Sequence, residues 1–111
     1  MQIGRVALPL LLALLLSACA VPVRADKIDY VGEWWSSEGM WLLITRDGSI
    51  AYSRLKKGGR VSIEGPLKGF TGDDFEVGFG PAVTTFRVSA PPHQVGGRWL
   101  MTVDGVELTR Q

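Results

Sequence analysis

The 111-residue chain has one cysteine, Cys19, and one histidine, His93. A lone cysteine excludes an intramolecular disulfide and a multi-thiolate metal site. A lone histidine excludes His–His and His–Cys zinc sites, and no nucleophile-elbow motif offers a serine to a Ser-His-Asp trio. No metal, no cofactor and no catalytic residue are therefore expected. Charge of one sign is also lacking: twelve basic residues stand against eleven acidic ones, and one of the twelve is Arg5 near the N-terminus. The balance from Cys19 onward gives no support to a nucleic-acid partner. Long hydrophobic runs are missing too, since the apolar stretch over residues 6–16 is about half of the ~20 residues that span a bilayer. No segment sustains a 3.6-residue period, and many of the fourteen glycines sit in turns rather than between a strand and a helix, where phosphate-binding loops place them.

What is present begins with that short apolar stretch. It follows Arg5 and ends in Leu16-Ser17-Ala18-Cys19, the layout of a removed export signal. The last four residues resemble the lipobox of bacterial lipoproteins. The resemblance implies cleavage ahead of Cys19, a diacylglycerol on its thiol and an acylated amino group. The chain then divides into a signal peptide over 1–18, a lipidated tether over 19–29 and a folded domain over 30–111. Ala20, in place of Asp, resembles the enteric-type lipoproteins sorted to the outer membrane, which implies a cell-envelope location facing the periplasm with membrane contact through Cys19. A rival cleavage site, Val23-Arg24-Ala25 ahead of Asp26, would release a free periplasmic protein. Residues 20–29 contain Pro22 and no periodicity, and as an extended tether they would reach on the order of 30 Å.

From Tyr30 on, short segments rich in β-branched and aromatic residues alternate with Gly, Asp and Pro at roughly eight- to ten-residue spacing, the pattern of an all-β domain. Candidate strands are 33–36, 40–46, 49–56, 60–67, 75–80, 84–89, 98–103 and 106–110. Short turns join antiparallel neighbours, so the expected fold is a small antiparallel up-and-down meander closing into a compact barrel of about eight short strands. A two-residue turn at Asp104-Gly105 pairs Val103 with Val106 and puts Trp99, Met101, Val103, Val106 and Leu108 on one face. At Asp47-Gly48 a bulged three-residue loop is favoured. It sets Ile44 opposite Ile50 and Leu42 opposite Tyr52, whereas a one-residue slip would reverse the buried face. The inward set continues with Val61, Ile63, Phe75, Val77, Phe79, Phe86 and Val88.

Tyr30-Val31-Gly32-Glu33-Trp34 resembles the Gly-x-Trp start of the first strand in lipocalin-like proteins. In that superfamily the tryptophan packs near the closed end of the barrel, and an arginine late in the last strand lies across it. The resemblance assigns those structural roles to Gly32, Trp34 and Arg110. The domain is much shorter than a full lipocalin, so its interior is expected to be filled by its own side chains.

Four further groups are candidates for contact. Trp34 and Trp35 must point to opposite sheet faces, which leaves Trp35 outside, and the favoured register puts Trp41 on the same outer surface, so the two form a candidate partner surface. His93 joins it from the stretch 91–97, which reads as the longest loop, stiffened by Pro91 and Pro92. Arg54, Lys56, Lys57 and Arg60 surround the Gly58-Gly59 turn as a candidate anion contact. Asp73, Asp74 and Glu76 form an acidic counterpart at an exposed turn, a poor setting for paired general acid and base. The expectation is a non-catalytic, lipid-anchored envelope protein that binds an envelope protein or a cell-wall component. A lipocalin-like carrier of an apolar ligand would need an open cavity, and a lysozyme-inhibitor-like lipoprotein lacks support from a disulfide pair or a Ser-Gly-x-x-Tyr loop. The sequence leaves the oligomeric state open.

Overall fold

The computed structural model describes residues 20–111; the signal peptide expected over 1–18 and the lipidation residue Cys19 lie outside the described residues. A 3-10 helix over Ala25–Tyr30 precedes nine strands: β1 (Gly32–Trp35), β2 (Met40–Ile44), β3 (Ser49–Lys56), β4 (Gly59–Thr71), β5 (Asp74–Phe79), β6 (Ala82–Phe86), β7 (Val88–Val95), β8 (Arg98–Val103) and β9 (Val106–Arg110). All pairs are antiparallel, and the order β6-β5-β4-β3-β2-β1-β9-β8-β7 forms one sheet curled into a half-barrel. The domain is all-β and up-and-down, as its turn spacing predicts.

Both hairpin registers agree with the hydrophobic pattern. Leu42 faces Tyr52 and Ile44 faces Ile50 across β2 and β3; Val103 faces Val106 across β8 and β9. In the first hairpin Gly48 takes φ +90°, and a Cβ there would fall 2.1 Å from the Val21 carbonyl oxygen. Glycine is required on both counts.

The strand count exceeds eight because of one corner. The segment expected as a single strand over 84–89 is broken at Arg87, where β6 ends and β7 begins, so the two edges of the sheet are consecutive in the chain. Two carboxylates satisfy the backbone at this break. Asp104 Oδ1 accepts the Arg87 N–H at 3.0 Å, and Asp74 Oδ1 accepts the Val88 N–H at 2.7 Å. The Asp104 N–H returns a bond to the Arg87 carbonyl at 2.8 Å.

Two further boundaries differ from the sequence reading. β4 continues past Leu67 to Thr71, shifting register between Leu67 and Gly69 so that its second half pairs with β5. Residues 91–95 are strand rather than loop, because β7 follows β8 as an edge with register shifts around its prolines. Pro lacks an N–H, and an edge with bulges is where a sheet tolerates it.

The concave side holds Trp34, Met40, Leu42, Ile44, Tyr52, Leu67, Phe75, Val77, Phe86, Met101, Val103 and Leu108, all buried. Phe75 and Phe86 stack at 5.0 Å, and Tyr52 meets Phe86 edge-on at 5.0 Å. Val61 and Phe79, expected in this set, are 40% and 60% exposed. Each lies close to a hairpin turn, beyond the packed layer, so a correct alternation carries them to a side with nothing over it.

The segment expected as a free tether is held from Val21 onward. The Val21 N–H donates to the Leu67 carbonyl at 3.2 Å and the Val23 N–H to the Arg46 carbonyl at 3.0 Å. Val23 is 8% exposed. Tyr30 then reaches across to donate its hydroxyl to the Asp73 carbonyl at 2.9 Å and packs edge-on against Phe70 at 4.9 Å. Lys27 lies over both rings, 5.7 Å from Tyr30 and 5.5 Å from Phe70, and pairs with Asp73 at 3.6 Å. Two apolar side chains and these bonds outweigh the lack of periodicity in the segment.

Candidate functional site

The period-2 geometry of β1 sends Trp34 inward and Trp35 outward. Trp34 is fully buried, and its indole N–H donates to the Tyr30 carbonyl at 2.9 Å. Arg110 lies over it at 5.7 Å and over Trp99 at 4.6 Å, while its guanidinium donates to the carbonyls of Asp29 and Val31 at 3.2 and 3.3 Å. Gly32 makes this crossing possible: with φ +146°, it leaves bare the place where a Cβ would meet Arg110 Cδ at 2.6 Å. Gly32, Trp34 and Arg110 thus meet at one spot and fasten the last strand to the first.

The outer face carries the other tryptophans. Trp35 is 45% exposed and Trp41 half-buried; they are direct cross-strand partners with ring centroids 6.1 Å apart, tilted by 55°. The Trp41 indole N–H donates to Glu33 Oε2 at 3.1 Å, which fixes the ring and sets a carboxylate beside the pair. Residues directly opposite in a ladder share a face, and the registers continue the line. Ser53 stands opposite Trp41, Thr109 opposite Trp35, Leu100 opposite Thr109, and His93 opposite Leu100. Trp41, Trp35 and His93 therefore belong to one row across the strands, with four strand spacings, ~19 Å, between its ends. Arg98 leans onto this row, donating to Thr109 Oγ1 at 3.2 Å. His93 is exposed, with Nδ1 2.8 Å from the Pro91 carbonyl oxygen. A carbonyl can only accept, so Nδ1 carries a proton in this contact.

No family model, no curated protein and no solved structure matches this chain. Its site is read from its own residues.

Arg54, Lys56, Lys57 and Arg60 share the outstretched end of the β3–β4 hairpin, with Arg54 opposite Val61 on its inner side and Arg60 opposite Leu55 on its outer side. Leu55 and Val61 are exposed between the cations. Arg60 spends one donor on Ser53 Oγ, which ties the basic tip to the aromatic row. The tip and the row adjoin but present different chemistry, cationic on one and aromatic and polar on the other.

The acidic group at the β4–β5 turn has structural partners. Asp73 holds Tyr30 and Lys27, and Asp74 caps the corner at Val88 and lies 3.9 Å from Arg87. Burial, with Asp73 and Asp74 adding to it, pushes the Tyr30 hydroxyl well above the ordinary tyrosine range. At the other turn, the Thr45 hydroxyl holds the exposed Asp47 carboxyl below its usual value, with Ser49 contributing. Among the described residues, no group of three or more His, Cys, Asp or Glu is gathered to hold a metal ion. The sequence reading missed the corner-capping roles of Asp74 and Asp104; an Asp beside each of two glycine turns was the available signal, but its partner 14 or 17 residues away was not.

Proposed function

We propose that the protein is a non-catalytic lipoprotein of the cell envelope, anchored through Cys19 in the outer membrane and facing the periplasm, and that the Trp41–Trp35–His93 row binds an envelope protein or a cell-wall component. The observation that carries the binding role is the outward-facing tryptophan pair in register with a polar row on the outer face. Rigid aromatic rings supply contact area at little entropic cost, and the ring of Trp41 is already fixed by Glu33. The arrangement of the core favours this over a small-ligand carrier, since the inner aromatics pack ring to ring. The lipocalin-like reading of the barrel is supported at its own residues by the contact of Arg110 with Trp34.

The N-terminal segment supports cleavage ahead of Cys19 rather than Asp26. A chain starting at Asp26 would lose buried Val23 and the bonds from Val21 and Val23 to two strands. Intact mass spectrometry of protein extracted from membranes of its host tests the anchor: a mass starting at Cys19 with acyl chains is expected, and an unmodified mass starting at Asp26 sinks it. Retention on purified cell-wall sacculi and on envelope proteins tests the surface. The double variant Trp35→Ser/Trp41→Ser should lose retention while keeping its fold, and equal retention would remove the row from the binding role.

A further inference from the structure

We propose that the surface around Val21 is the face on which the domain rests against its own anionic bilayer, with Arg46 and Lys68 on the headgroups and the β3–β4 hairpin directed away. This rests on the lipid-anchor reading and adds an orientation to it. Cys19 precedes Val21 by two residues, which span at most ~7 Å of extended chain. Val21 is itself bonded to Leu67, and Val23 to Arg46. A lipid on Cys19 sits at the membrane–water boundary, so the strand ends beside Val21 are drawn to within that reach of it.

Those strand ends carry the right chemistry. Arg46 and Lys68 are exposed, and among the described residues neither is in an ion pair. Val21, bonded to the residue before Lys68, is an exposed apolar side chain. The carboxylate next to Arg46 in the chain, Asp47, is turned into its own loop by the Thr45 hydroxyl and the Ser49 N–H. Cations at the headgroup level, with an apolar residue beside them, fit an anionic lipid surface.

The outer sheet face fits it poorly. Glu33, Glu64 and Glu107 occupy outer-face register positions, so a domain lying flat would press carboxylates onto the leaflet. Standing on its Val21 end, the molecule projects β3 outward. Its eight residues place the basic tip ~25 Å farther from the bilayer, beyond the ~8–10 Å range of screened charge. The cations of the tip and the tryptophan row then face the periplasm, not the anchoring leaflet.

The test uses the full-length lipidated protein in phosphatidylglycerol-containing vesicles, with an environment-sensitive fluorophore on Ser49→Cys or on Lys57→Cys and a quencher on the lipid headgroups. Ser49 and Lys57 are both exposed, and each lies at or beside one end of β3. Quenching at position 49 with none at 57 is the expected result. Equal quenching at both, or quenching at 57 alone, overturns the orientation while the anchor stands. The mass of the same sample reads the lipid: its absence overturns the anchor, and the orientation with it. In the variant Arg46→Glu/Lys68→Glu, the quenching at 49 should lose its excess in phosphatidylglycerol over phosphatidylcholine vesicles; an unchanged excess overturns the headgroup contact.

Discussion

The two ends of β3 obey the same alternation and have opposite fates. At Ile50 and Tyr52 the inward residues are buried under the curled sheet. Two pairs farther on, Val61 of β4 stands on the same side opposite Arg54, and it is exposed. The difference lies in what covers the strand. Near Ser49 the N-terminal segment and the β4–β5 layer close over it, whereas the hairpin tip outruns both. Periodicity decides which face a residue is on; the presence of a second layer decides whether that face is dry.

The sharpest way to break the packed end is Trp34→Ala. The indole is buried and its N–H bonded, so a loss of ~3–5 kcal/mol is expected in denaturant unfolding, the usual cost of truncating a buried aromatic. A cost near zero would show that the clasp with Arg110 is dispensable. Gly48→Ala comes next, at about 1–3 kcal/mol for a non-glycine residue forced to positive φ, with faster amide exchange at Val21 and Val23 as the local reading. Intact protection there would contradict the seating of the N-terminal segment on the turn.

Tyr30→Phe should cost ~1 kcal/mol through the lost bond to Asp73. It also has a pH signature. The folded hydroxyl keeps its proton where the unfolded one, near the ordinary tyrosine value of 10.0, releases it. The unfolded state then binds fewer protons, and stability falls as pH rises above about 10. In the Phe variant this alkaline decline should shrink, which a series of unfolding midpoints between neutral and alkaline pH would show. The smallest effect is expected at the exposed end, where Leu55→Ser should move stability by no more than ~0.5 kcal/mol. A larger loss would mean that the tip, beyond the contact of Leu55 with Gly39, is packed in solution against a second copy.

Much of this contrast is legible in the sequence. The Asp104-Gly105 and Asp47-Gly48 turns give both registers, because in each hairpin only one pairing puts all the large apolar residues on one side. Gly32, Trp34 and Arg110 are picked out by the resemblance of the Gly-x-Trp start and the late arginine to lipocalin-like proteins, and the register that places Trp41 outside follows from burying Leu42 and Ile44. The corner at Arg87 is not legible, since its caps come from Asp74 and Asp104, and nothing local announces a contact at that separation. Val23 is missed for the same reason: it is one small apolar side chain in a stretch without a period, and it is buried by partners at Arg46 and beyond. His93 is placed on the outer row by the pairing of β7 with β8, which its two prolines argue against when read alone.

The pairing of β1 with β9 has a consequence for how the chain folds. Every other ladder in the sheet joins strands adjacent in sequence, so each can form as a local hairpin on closing a short loop. Trp34 and Arg110 meet only after 75 intervening residues have been drawn together, and closure entropy grows with that separation. The pairing of the first strand with the last is therefore the late step in folding, and it also brings Arg110 across Trp34.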